Sequence, residues 1–377
     1  MKRLECLDGL RGLLAVYVLL GHMAPFAELP AWVQNAVSHG GAAVDLFFVL
    51  SGLVITQSLQ RANGRAKPFL IGRAARIFPV YLVVFALAVA LQPLSCSFER
   101  MPWIGPDSLA RTICGTGWPQ TWAPEIVAHL TMTHGLLPYW VMPHVWVSFL
   151  GSAWSLSTEW QFYLLALLAG SRNRSLGWIL LGIALAGVAW QNVAAEDWQF
   201  SRAFLPNKGH FFALGVASAA VVRGDRAAGR HYAVILGAAL VICGTAESFG
   251  KMLPPLAWTG CLLIQMQPRA AGLILPALRL AAGVLQSRLA TYLGAISYCL
   301  YLVNEPIHKL VGALLSQFAA GDARLFTLLW IPAAIGLPIL ASAGLHIYLE
   351  APGLRWGRIL AGRSRAHQMP GHPERAN

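Results

Sequence analysis

The chain has 377 residues, 56% of them hydrophobic and only 12% charged, and its mean hydropathy is positive. Those figures exclude a soluble multidomain enzyme and describe a polytopic helical membrane protein. The formal charge of +12 is not a nucleic-acid signal, because neither an aromatic–basic RNA motif nor a soluble module accompanies it. Basic loop residues that set membrane orientation account for it instead.

Apolar runs at 9–27, 41–58, 77–94, 146–168, 175–192, 208–222, 231–247, 253–267, 289–315 and 326–349 predict an all-α fold with about ten transmembrane helices. The first run lacks a small-residue cleavage site and is read as a retained span, not a signal peptide. Ten spans put both termini on one side. Most of the Lys and Arg flank that side, among them Lys2, Arg3, Arg11, Arg61, Arg73, Arg76, Arg223 and Arg355, so both termini are expected in the cytoplasm.

In the first span, Arg11 and His22 are eleven residues apart, three helical turns plus about 20°, so both lie on one face roughly 16 Å apart. Asp45 sits just inside the outer start of the second span, at the depth expected for His22. An ionisable group inside a bilayer costs roughly 2.5–3.5 kcal/mol and asks for a partner or a task. A carboxylate beside an imidazole can fix its tautomer and leave the other nitrogen as a general base. A His–Asp pair that merely locks two helices is the competing reading. Arg73 and Arg76, an i, i+3 pair where the third span begins, suit phosphate oxygens, although positive-inside charge also explains them.

The stretch 95–145 is the longest polar interruption and is expected outside. Its Trp103, Trp118, Trp122 and Trp140 fit either a sugar site or an interfacial belt. Cys96 and Cys114 both lie in it, and a disulfide and two free thiols are both open readings. The other four cysteines show no metal-ligand spacing and are read as packing residues.

Glu159 falls mid-span and must pair or line a cavity. Residues 268–288 fit a re-entrant or interfacial helix. The ninth span carries Asn304 and Glu305 before Pro306, near the depth of His22. Two regions are expected, a membrane domain over 1–362 and a polar, disordered tail over 363–377.

Six segments in order resemble the integral-membrane acyltransferase-3 family, whose members O-acylate sugars and related hydroxyl compounds. They are Leu7-Asp8-Gly9-Leu10-Arg11-Gly12 with its spacing to His22, Val44–Gly52, Arg73–Tyr81, Trp154–Glu159, Ser297–Leu302 and Glu350-Ala351-Pro352. The resemblance covers essentially the whole membrane chain. It implies transfer of an acyl group, usually acetyl, from cytoplasmic acyl-CoA to a hydroxyl of a cell-surface or exported glycan, in a multi-pass protein of the inner (plasma) membrane. His22, Asp45 and Glu159 are then the expected catalytic residues, and Arg11, Arg73 and Arg76 the contacts to CoA. Trp154, Ser157, Tyr298, Tyr301, Asn304 and Glu305 are the expected substrate contacts, with no metal. Asn304 stands where many relatives carry His, and Asn cannot titrate. A transporter of a lipid-linked sugar or small amphiphile is the alternative, but the two similar halves such a protein often shows are not found.

Overall fold

The computed structural model describes residues 5–115, 117–170, 173–266 and 275–366, the side chains of 173, 174, 275 and 363–366 excepted. The described residues form α-helices and short helical turns. Their one bridge of β type, between Pro138 and Phe200, is isolated. In chain order the helices are α1 (Glu5–Met23), α2 (Ala31–Val37), α3 (Gly40–Arg61), α4 (Ala66–Ala90), α5 (Leu109–Ile113), α6 (Trp122–Leu130), α7 (Trp154–Leu168) and α8 (Asn173–Val193). They continue with α9 (Gly209–Arg223), α10 (Ala228–Ile242), α11 (Leu253–Met266), α12 (Leu275–Leu285), α13 (Arg288–Ala319), α14 (Ala323–Leu345) and α15 (Ala351–Ala366).

Several starts carry their own caps. Ser108 accepts from Ala110 N before α5, Ser287 from Ala290 N before α13, and Asp322 from Arg324 N and Leu325 N before α14.

Two close helix crossings position the site. α1 lies along α13, and α3 lies along α9. A Cβ added at Gly12 would stand 2.5 Å from Ala290 O and 2.6 Å from Gly294 N, and one at Gly294 would strike the Asp8 carbonyl. At the second crossing a Cβ on Gly52 would meet Phe212 O, and one on Gly215 would meet Val49 O. In lipid, association rests on close packing, which small residues permit. Gly12 of the first motif therefore lets the helix bearing Arg11 and His22 press against α13.

Among the described residues six segments are long and apolar enough to cross a bilayer: Glu5–Phe26, Ala31–Arg61, Ala66–Ala90, Ser175–Val193, Ala228–Glu247 and Ala323–Gly362. Helices also stand at the other four expected places. Of these α7 and α9 have 15 residues and α11 has 14, fewer than the ~20 that the hydrocarbon thickness asks for. α9 is buried on every side from Gly209 to Ala220, which marks it as a core helix of the bundle. α13 has 32 residues and carries Glu305 and Lys309 along its length.

Between α4 and α7 the chain forms a folded cap. α5 and α6 lie in it, and Cys96 and Cys114 are joined as a disulfide. Trp103 belongs to this cap's core: its Nε1 donates to Phe26 O at 2.9 Å and its ring packs on Phe326. Trp118, Trp122 and Trp140 remain about half exposed. Cys6, Cys243 and Cys299 are buried, with Cys261 half-buried.

Within 268–288 the helix α12 has 11 residues, and 267–274 lie outside the described residues. α15 continues helical to Ala366, past the expected domain end at 362. Residues 367–377 also lie outside the described residues.

Candidate functional site

α1, α3, α4, α7 and α13 enclose a cavity of about 100 Å³, lined among others by Arg11, Arg73, Arg76, Glu159, Tyr163, Tyr298 and Tyr301. Three guanidiniums thus face one carboxylate. Arg11 and Arg76 make no hydrogen bond or ion pair among the described residues. Arg73 donates from Nη2 to Ser58 Oγ at 3.2 Å, while its buried Nε has no acceptor. Glu159 is held by the Tyr163 hydroxyl, which donates to Oε2 at 3.0 Å. Unspent donors and an excess of positive charge could hold an anion, and planar guanidinium forks fit phosphate.

Tyr298 and Tyr301 line the same cavity from α13. Tyr298 donates to Ile77 O at 2.7 Å, and Ser155 Oγ donates to Tyr301 Oη at 2.9 Å. Trp154 and Ser157, expected at the substrate, point elsewhere. On α7 the residues 155, 156, 159 and 163 form the cavity face, and a residue one or two positions away is turned by 100–200°. Trp154 packs edge-on against Phe48. Ser157 is fully buried, donating to Met132 O and accepting from Gly135 N.

The expected contact between His22 and Asp45 is absent. On α3 the cavity face runs through Val44, Phe48, Ser51 and Ile55, so Asp45 is rotated by about 100° toward α9 and α11. There it pairs with Lys251 Nζ at 2.6 Å and Lys208 Nζ at 3.2 Å. Glu247 extends this buried network, 3.7 Å from Lys208 and 3.6 Å from His210 Nε2. Its role visible here is to tie three parts of the bundle together.

His22 Nδ1 instead lies 2.6 Å from Asn304 Oδ1. The amide orientation is fixed, because Asn304 Nδ2 donates to Leu300 O and Tyr301 O, both at 2.8 Å. The oxygen facing His22 can only accept, so Nδ1 carries a proton, and in the neutral ring Nε2 is then the nitrogen with the lone pair. No group among the described residues bonds Nε2. Asn304 thus stands against the imidazole nitrogen where Asp45 was expected.

Glu305, the next residue on α13, points into a different cavity on the cap side. Its two oxygens accept from Gly151 N and Ser152 N, each at 2.9 Å. Glu350 of the closing motif is buried and accepts from His346 Nδ1 at 2.8 Å and from Cys299 Sγ at 3.4 Å. No group of three or more metal-ligating side chains is found among the described residues.

Sequence reasoning missed Ser155 and Tyr163 at the inner cavity, and Lys208 and Lys251 as the partners of Asp45. One signal was present: Lys208 opens an apolar run, where an ammonium needs a counter-ion.

A family profile described as an acyltransferase domain matches residues 4–347. The chain is 28% identical over 409 residues to the acyltransferase MdmB of Streptomyces mycarofaciens, covering 96% of this chain and 94% of that one. It is 26% identical over 166 residues to an O-acetyl transferase of Shigella phage Sf6, covering 44% and 45%. No solved structure matches the chain.

Proposed function

The chain belongs to the acyltransferase-3 family, and from that premise we propose that it transfers an acyl group, acetyl foremost, from cytoplasmic acyl-CoA to a hydroxyl of an exported or cell-surface glycan. The observation that carries this reading is the inner cavity, with three guanidiniums that have donors to spare. Residues on one helix advance 1.5 Å each, so Tyr298, Tyr301 and Asn304 mark successive levels from the arginines to the imidazole.

In this reading Arg11, Arg73 and Arg76 hold the phosphates of CoA, and the thioester reaches past Tyr301. His22 Nε2 takes the proton of the acceptor hydroxyl as its oxygen attacks the thioester carbonyl carbon. The C–S bond then breaks, the acyl group stays on the acceptor oxygen, and the CoA thiolate leaves and is protonated. Asn304 holds the imidazole, and Glu159 balances charge among the arginines. Both termini are cytoplasmic, and the disulfide-bonded cap faces an oxidising exterior, as for an inner-membrane protein.

Binding of radiolabelled acetyl-CoA to the protein in nanodiscs tests the reading. Arg73→Ala and Arg76→Ala should each weaken it by roughly 10–100-fold, the equivalent of a lost charge-assisted bond of about 1.5–3 kcal/mol. Arg73→Lys should recover only part, lacking the fork. Unchanged affinity in both alanine variants contradicts the assignment.

A further inference from the structure

We propose that the cavity on the cap side binds one small carboxylate, held between Lys309 of α13 and Arg111 of α5, and that this anion fastens the cap to the bundle. The inference goes beyond the acyl-transfer reading and does not depend on it. The cavity is about 240 Å³ and is lined among others by Gln92, Arg111, Thr112, Ser148, Glu305 and Lys309. Its two cations come from elements that touch: Cys114 Sγ, directly after α5, lies 3.8 Å from Lys309 O.

Lys309 points to a ligand. It is 6% exposed, yet its ammonium, with three N–H donors, makes one hydrogen bond, to Gln92 O at 3.2 Å. No carboxylate lies within ion-pair distance of it among the described residues. A buried ammonium left so short of acceptors is costly until something in the cavity supplies them. Arg111 is the second cation. Its Nε donates to Gly105 O at 2.9 Å and its Nη2 to Ile104 O at 3.2 Å, while its guanidinium carbon stands 4.5 Å from the centre of the Phe98 ring. Those contacts fix the plane of the fork and use two of its five N–H groups. The other three make no hydrogen bond among the described residues. A fork held in place beforehand loses little freedom on taking a ligand.

The one carboxylate of the lining is turned to other donors. Both Glu305 oxygens accept backbone N–H groups, from Gly151 and Ser152 at 2.9 Å. Ser148 Oγ and Gln92 Nε2 already donate to Val145 O and Gly117 O, so the strongest donors left in the cavity belong to the two cations. Two cations against one anion leave a single positive charge, which one carboxylate cancels. Phosphate or sulfate, as dianions, would bring excess negative charge beside Glu305. A carboxylate also presents two oxygens, enough to accept from the fork and the ammonium together. The volume is below the ~300–1,000 Å³ that holds drug-sized ligands, so the anion is small. Bound there, it joins α13 to α5, and the disulfide from Cys114 to Cys96 carries that tie into the rest of the cap. A ligand that binds only the folded cap stabilises it by mass action.

Saturation-transfer NMR on the full chain in nanodiscs, with sodium acetate and sodium propionate as probes at fixed ionic strength and pH 7.5, tests the site. Saturable binding of at least one is expected. It should weaken by roughly tenfold or more in Lys309→Met, which removes the charge, and in Val147→Trp, which fills the cavity and keeps both cations. It should persist when Arg73→Ala and Arg76→Ala are combined, because the forks of the inner cavity are not involved. Amide hydrogen exchange over 109–115 should slow with the probe in the parent chain and stay unchanged in Lys309→Met. No saturable binding of either probe, tighter binding of phosphate than of acetate, binding that survives either cavity variant, or binding lost with the inner arginines overturns the proposal. Acetyl-CoA binding measured in parallel keeps the two sites apart: its absence removes the donor assignment and leaves this one standing.

Discussion

The amide of Asn304 spends both N–H groups on backbone carbonyls, and this makes a residue that cannot titrate into an orienting group for one that can. Asp45, in contrast, compensates two lysines. The two residues should therefore fail in opposite ways. Asn304→Leu should leave the amount of folded protein near normal and cut transfer per folded molecule by on the order of 10²-fold or more, because the imidazole tautomer is no longer fixed. Asn304→Asp should restore only part of it, since a carboxylate also accepts from Nδ1 but its second oxygen faces the Leu300 and Tyr301 carbonyls. Asp45→Asn should do the reverse, lowering folded protein through a loss of about 3 kcal/mol while transfer per folded molecule holds. Activity normalised to monodisperse protein decides both, and equal loss per molecule in Asp45→Asn would return Asp45 to the chemistry. Sequence spacing gave His22, Asn304 and Asp45 similar depth, and of these His22 and Asn304 meet. It could not settle angular position, because a one-residue step turns a side chain by 100° and the crossing partner of each face depends on packing across the whole bundle.

At the scale of elements, the cap between α4 and α7 shows where periodicity has little to say. Its helices are short, and its order comes from a disulfide, from indole N–H bonds such as Trp103 to Phe26 O, and from buried histidines. His129 and His134 stack with ring centroids 4.1 Å apart, and bond the carbonyls of Val145 and Ala153. Burial pushes His134 down to about 4. Burial, then the neighbouring His134, push His129 well below the usual imidazole value. Both groups are neutral in the fold, whereas the unfolded chain protonates them below about 6.5. Their contribution is therefore complete above pH ~6.5 and is lost as the pH falls toward 4, His134 alone costing about 2 kcal/mol at pH 5. Thermal unfolding in nanodiscs should show a lower midpoint at pH 5 than at pH 7.5, and His134→Gln should flatten the difference. A midpoint indifferent to pH in the parent chain would contradict this account of the cap. The long apolar helices, by comparison, were legible from hydropathy alone. α9 was legible as apolar but not as a 15-residue core helix, since a run buried in protein and one facing lipid read alike.

For the molecule as a whole, charge and chemistry divide along one axis. The arginine-lined cavity lies at the end where basic loops gather, the polar cavity lies under the disulfide-bonded cap, and His22 with Asn304 stands at the level between them. That division makes a sidedness prediction: reporters fused after Arg65 and at the C-terminus should read cytoplasmic, and one placed in 100–140 should read outside. A cytoplasmic reading for the cap would contradict the division. The six ordered motifs made the family and the arginine set visible in the sequence. The second cavity was not, because Gln92, Ser148 and Lys309 come from three distant segments and follow no common spacing.

Under the proposed function acyl transfer depends on a proton taken by His22, and a variant that keeps the polarity of that side chain without its titration separates this from a structural role. Surface glycans from cells producing the parent chain or His22→Gln, at matched levels of folded membrane protein, would be compared by mass spectrometry for the acetyl mass increment. The account predicts the increment with the parent chain and its loss in His22→Gln, since removing a general base costs roughly 10²–10⁴-fold in rate. Near-parental acetylation by His22→Gln would contradict it.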